Sequence, residues 1–219
     1  MSYTNKLMKK LKSVLIAACL ALPSAQADQA RDMVVSAQMD NASNIRRLIG
    51  KGGSPNTVDP TTGETLLMIA LREEANKVVG ELLAQPNIDL EQKAPNGNTA
   101  LMLAAFKRNK PAVVAMIAKG AIVTRPGWTA LHYAAASGDT GIAAILLEHS
   151  AYIDAESPSK LTPLMIAGRE GHAAVAQLLL REGADATLTN NERLTAQQIA
   201  LRAGHTEIAG IIARHLAAR

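Results

Sequence analysis

Residues 129–139 read Thr129-Ala130-Leu131-His132-Tyr133-Ala134-Ala135-Ala136-Ser137-Gly138-Asp139, the pattern T-A-L-H-x-A-A-x-x-G-D. The pattern recurs on both sides. Thr162-Pro163-Leu164-Met165-Ile166-Ala167 opens one copy, which Gly171-His172 closes. Thr99-Ala100-Leu101-Met102-Leu103-Ala104-Ala105, Thr65-Leu66-Leu67-Met68-Ile69-Ala70 and Thr195-Ala196-Gln197-Gln198-Ile199-Ala200 open three more. The starting threonines are 34, 30, 33 and 33 residues apart. Self-similarity at this period marks a stacked array of small helical units.

Each copy continues into a second apolar helix, for example Ile142-Ala143-Ala144-Ile145-Leu146-Leu147 and Val175-Ala176-Gln177-Leu178-Leu179-Leu180. Endings such as Gly120-Ala121, Ser150-Ala151 and Gly183-Ala184-Asp185 follow. These features resemble the ankyrin repeat family, whose units open with T-P-L-H-x-A. The resemblance covers nearly everything after the first thirty residues. It implies an all-α solenoid of about six stacked repeats, each a helix-turn-helix with a short β-hairpin finger. The units fall approximately at 28–61, 62–95, 96–125, 126–158, 159–191 and 192–219. It also implies a non-enzymatic protein that binds a partner protein through its concave face.

Local chemistry supports this division. A starting Thr caps free backbone N–H groups, and Pro163 suits the first helical turn. Gly138, Gly171 and Gly204 let the chain reverse between helices, and Gly63, Gly97 and Gly127 shape the turn before the first helix. Lys160 and Arg193 stand where that glycine is expected, so two turns are expected to be built differently. The first unit is degenerate, with Met33-Val34-Val35-Ser36-Ala37 and Ile45-Arg46-Arg47-Leu48-Ile49 as its helices and Arg31 in place of the starting Thr. The last unit replaces the usual Leu-His pair by Gln197 and Gln198, and Arg214, His215 and Arg219 give it a wet face. Polar, irregular end units are expected where one face lacks a neighbour.

Residues 1–27 read as a secretory leader, leaving 28–219 as the repeat domain. Lys6, Lys9, Lys10 and Lys12 precede a nine-residue apolar run, Val14 to Leu22, and Ala25-Gln26-Ala27 supplies an A-x-A cleavage site. A spanning helix needs about 20 apolar residues, so no stable membrane insertion is expected. The reading is a protein that is periplasmic or secreted after cleavage behind Ala27, and small exported bacterial ankyrin proteins are the resemblance that goes with it. Ile16-Ala17-Ala18-Cys19 also resembles a bacterial lipoprotein box, which keeps a lipid-anchored envelope adaptor open as the alternative. Cys19 is the one cysteine, so cleavage after Ala27 leaves no thiol.

The chain of 219 residues carries a net charge of +4, with only 2% aromatics. Beyond the four leader lysines it has 19 basic and 19 acidic groups. Such a balanced body gives no support to a nucleic-acid partner. Gly50-Lys51-Gly52-Gly53-Ser54 lacks the order of a phosphate loop, and no zinc or serine-hydrolase signature occurs. No cofactor, metal or catalytic residue is assigned. An enzyme whose site no motif shows is the competing class. The protein is expected to be monomeric alone.

The candidate partner-binding residues are Phe106, Lys107, Arg125, Trp128 and Tyr133. Phe106, Trp128 and Tyr133 are three of the four aromatics outside the leader, Tyr152 being the other. They fall seven after Thr99, one before Thr129 and four after Thr129. The first two registers lie on the fingers and the inner-helix face, the concave side on which the resemblance implies binding, and Tyr133 lies closer to the packing face. Structural roles remain open: Trp128 covering the finger base, Tyr133 filling a gap between layers. The link Ala121 to Trp128 is three residues shorter than in the regular units, so its finger is expected to be stubby. Mixed charges such as Arg72/Glu73, Lys107/Arg108 and Arg169/Glu170 fit either a solvated face or an interface rim.

Overall fold

The computed structural model describes residues 24–218, with side chains from Gln26 onward. Lys6 to Lys12, the apolar run, Cys19 and Arg219 lie outside the described residues. Twelve helices stand within them. In pairs they are α1 (Ser24–Gln38) with α2 (Ala42–Gly50), α3 (Leu66–Arg72) with α4 (Asn76–Leu83), and α5 (Ala100–Phe106) with α6 (Lys110–Ala118). Next come α7 (Ala130–Ser137) with α8 (Thr140–Glu148), α9 (Pro163–Glu170) with α10 (Ala173–Arg181), and α11 (Ala196–Arg202) with α12 (Thr206–Ala217). First helices stack on first helices and second on second, giving six layers and one continuous apolar core.

The threonine register explains the layers. Thr65, Thr99, Thr129, Thr162 and Thr195 are the N-caps of α3, α5, α7, α9 and α11. Two positions on, Leu67, Leu101, Leu131 and Leu164 are at most 2% exposed. Five positions on, every layer from the second to the sixth has alanine, namely Ala70, Ala104, Ala134, Ala167 and Ala200, each 0% exposed. Ala200 stands against the neighbouring layer, its Cβ 3.4 Å from where a Cβ on Gly168 would lie, and small side chains let successive helices approach this closely. Glycine serves where the approach is closer: a Cβ on Gly168 would lie 3.2 Å from the Ala196 carbonyl oxygen.

Polar groups bind successive layers together. Asp40, between α1 and α2, accepts the Lys77 and Val78 N–H groups at 2.9 and 3.0 Å, and so caps α4 of the next layer. Ala75, the residue at the N-cap position of α4, cannot do this itself. The His172 ring covers Gly138, with Nε2 3.1 Å from the Ala136 oxygen, and the His205 ring covers Gly171 in the same way. A side chain at either glycine would collide with the imidazole.

Three details differ from the sequence reading. The turns at Lys160 and Arg193 are built like the glycine one at Gly97. Ala94, Ser157 and Asn190 each donate to the oxygen four residues on, and Gly97, Lys160 and Arg193 each donate back at 2.8, 2.8 and 2.9 Å. Lys160 and Arg193 take φ of 57° and 62°, left-handed values that cost an L-residue about 1–2 kcal/mol. Second, α1 begins at Ser24 and so extends the first unit toward the N-terminus; its packed residues are Met33, Val34 and Ala37. Third, the end helix is less wet than expected, because His215 is half-buried with Nε2 lacking a partner. The fingers are tight turns, with single bridges Val58–Thr65 and Thr189–Thr195 in place of strands among the described residues.

Candidate functional site

Three aromatics stand at the fourth or seventh residue after a starting Thr, or at the residue before it. In the third and fourth layers these registers hold the aromatics. Phe106 ends α5 and is 48% exposed. Its ring meets Tyr133 edge-on, with centroids 6.1 Å apart and planes at 89°. Trp128 lies 6.1 Å from Tyr133 and 5.2 Å from the His132 ring. The Tyr133 hydroxyl donates to Asn98 Oδ1 at 2.6 Å, reaching back one layer. Burial raises the Tyr133 phenol above its ordinary pKa. Tyr133 is therefore the hub: Trp128 and Asn98 hold it, and it holds Phe106. Edge-on aromatic contacts of this kind contribute about 0.5–1.5 kcal/mol each beyond burial. The half-exposed Phe106 ring is thus supported before any partner arrives.

The two basic candidates stand apart from this cluster. Lys107 pairs with Glu74 at 3.3 Å and, with Arg108, lines a groove of about 790 Å³ between α4 and α6. Arg125 is largely buried in an ion pair with Glu91 and lines a cleft of about 560 Å³ with Pro126, Gly127 and Tyr152. That cleft lies where the link is contracted. Sequence reasoning passed over a further cleft between the fifth and sixth fingers, lined by Arg169 and Arg202. Its visible signal was the unusual Lys160 and Arg193. Among the described residues no group of three or more His, Cys, Asp or Glu is placed to hold a metal ion. No described helix is long and apolar enough to cross a membrane.

His132, beneath Trp128, is fully buried. Its Nδ1 accepts the Thr129 N–H at 3.2 Å, which leaves Nε2–H to donate to the Leu161 oxygen at 2.8 Å. One imidazole thus caps its own helix and holds the next finger. Burial pushes its pKa below the ordinary histidine value, against the bonds to the Leu161 and Ala155 carbonyls.

The family model described as "Ankyrin repeats (3 copies)" matches residues 33–126, 75–157, 109–190 and 152–218. The RelA-associated inhibitor of Mus musculus is 36% identical over 121 residues, covering 52% of this chain and 14% of that protein. Neurogenic locus notch homolog protein 1 of Xenopus tropicalis is 32% identical over 136 residues, covering 61% of this chain and 5% of that protein. The chain thus spans a small part of these relatives' length. The crystal structure of the ankyrin repeat domain of Bcl-3, described as a member of the IkappaB protein family, superposes with a TM-score of 0.69. It is 25% identical in sequence, and the match covers 83% of this chain and 81% of that one.

The depressed His132 pKa carries a pH prediction. The folded state binds its proton at a lower pH than the unfolded state, whose imidazole titrates near about 6.5. The contribution is full above that value and is lost as the pH falls toward the folded-state pKa. His132→Gln keeps an acceptor for the Thr129 N–H, as Gln198 does for Thr195 at 3.0 Å. Urea midpoints between pH 7.5 and 5 should therefore fall less steeply in the variant. Parallel pH profiles would show that His132 carries no such linkage.

Proposed function

The chain belongs to the ankyrin repeat family, and from that premise we propose that it is a binding module for a partner protein, docking it on the concave side of layers three and four. The observation that carries this reading is Phe106, half-exposed and held edge-on by Tyr133. A large aromatic fixed in place gives up little conformational entropy on docking, and such residues dominate binding energies at interfaces. The contracted link beside Trp128 leaves room for a protruding segment of the partner. Mixed, exposed ion pairs such as Arg72–Glu73 and Arg169–Glu170 make a polar rim. The likeness to a protein named as an inhibitor favours a regulatory outcome, in which the partner, an enzyme, is inhibited, protected or assembled.

The module is further proposed to be exported and to act in the periplasm or outside the cell. Support comes from the lysines, the short apolar run and the Ala25-Gln26-Ala27 site. It also comes from where α1 packs: Gln26, Ala27 and Asp28 are exposed, and the first half-buried residue is Gln29, whose Nε2 bonds the Leu48 oxygen at 3.1 Å. Cleavage after Ala27 would leave that packing whole.

Two measurements test these readings. Phe106→Ala and Trp128→Ala should each weaken partner binding by about 2 kcal/mol or more. Phe106→Ala should leave the unfolding midpoint nearly unchanged. A lowered midpoint with unchanged affinity of the folded fraction would make both residues structural only. For export, the intact mass of protein recovered from cells should place Asp28 first. A lipid-modified Cys19 at the N-terminus would replace the soluble reading by the anchored one.

A further inference from the structure

The cleft between the fifth and sixth fingers has a chemistry of its own. It measures about 360 Å³, with Leu161, Leu194 and Ile199 among its apolar lining and Arg169 and Arg202 beside them. Its walls are fixed. The Asn191 N–H donates to the Ser159 oxygen at 3.2 Å, tying one finger to the next. Asn190 Oδ1 accepts the N–H groups of Glu192 and Leu194, both at 3.0 Å.

Charge singles this cleft out. The second, third and fourth fingers carry Gly63, Gly97 and Gly127 at the left-handed turn position. The fifth and sixth carry Lys160 and Arg193 there, both exposed, and neither makes an ion pair among the described residues. Among the described residues Arg169 pairs with Glu170 and Arg202 with Glu192, at 2.8 Å each. All four of those side chains are 40% exposed or more. Exposed pairs are weakly held, so an incoming carboxylate can take the place of either glutamate. Glu192 also lines the cleft, and Lys160 and Arg193 do not, but each of these two cations sits in the chain between two lining residues, Ser159 and Leu161 or Glu192 and Leu194, and so adds a positive charge at the rim of an apolar floor. Guanidinium groups favour carboxylates through paired hydrogen bonds.

We infer that this cleft receives an acidic segment of the partner protein, Asp- or Glu-rich with apolar residues between the acids. The inference rests on the protein-binding reading and extends it from the aromatic centre to the last two layers. A nucleic acid fits less well, because no aromatic side chain lines the cleft to stack on bases. The aromatic cluster lies instead in the third and fourth layers.

The probe is a fluorescein-labelled dodecapeptide of repeating Glu-Glu-Leu-Gly, compared with its Gln-Gln-Leu-Gly counterpart by anisotropy at two salt concentrations. The proteins are the parent chain, the double variant Lys160→Gly/Arg193→Gly, and Arg202→Gln. Glycine adopts a positive φ without strain, so the double variant should keep its unfolding midpoint, and Arg202 is an exposed side chain. The Glu peptide should bind tighter than the Gln peptide, weaken with salt, and bind the double variant roughly five- to ten-fold more weakly. Equal binding of the two peptides, or affinity indifferent to all the substitutions, would overturn the inference. Tighter binding of a single-stranded oligodeoxythymidylate than of the Glu peptide would also overturn it, by assigning the cleft to nucleic acid. None of these outcomes depends on Phe106 or Trp128, so failure here is distinguishable from failure of the proposed function.

Discussion

Close approach between successive inner helices is the constraint on which the rest of the structure depends. Ala70, Ala104, Ala134, Ala167 and Ala200 occupy one register and are wholly buried. A core built on alanine cannot be thick, so the chain uses leucines two residues after four of the five threonines and almost no aromatics. At this spacing a polar group of one layer reaches the next. His132 spans from its own helix cap to the Leu161 carbonyl, Asp40 caps α4, and His172 lies on Gly138. Stability in such an array comes from neighbour contacts repeated along one dimension.

The same spacing shapes the functional surface. Side chains seven residues after the threonine are less buried than the alanine register, and there the sequence varies: Arg72, Phe106, Ala136, Arg169 and Arg202. The ankyrin layers fix where such residues stand, and their identities determine what can bind. An aromatic centre in the third and fourth layers and a cationic cleft in the fifth and sixth are two patches on one rigid support.

Most of the fold was legible because the threonine, leucine and glycine positions are local and periodic. The first helix of unit one was found at Met33–Ala37, but its extension to Ser24 was not, since the start has no capping Thr. Lys160 and Arg193 were misread because glycine is the usual but not the required residue at a left-handed turn. Hydrogen bonds on both sides hold these two residues there. At the site, register put Phe106, Trp128 and Tyr133 in adjacent layers, where their rings meet. Register alone could not show that Lys107 turns toward α4 and α6, or that Arg125 is engaged by Glu91. Those placements depend on partners in other layers, more than thirty residues away in sequence.

The most direct test of the layer constraint compares two alanines of α7. Ala134 lies between layers, whereas Ala136 occupies the register that holds Phe106 and Arg169 elsewhere. Helix propensity affects both alike in an Ala→Val change. Urea titration should show Ala134→Val destabilised by about 1–3 kcal/mol, the cost of overfilling a packed site. Ala136→Val should lose clearly less, about 0.5 kcal/mol, because Ala136 is only partly buried at the edge of the core. Equal losses at the two positions, or none at Ala134, would contradict the claim that the alanine register sets the spacing of the array.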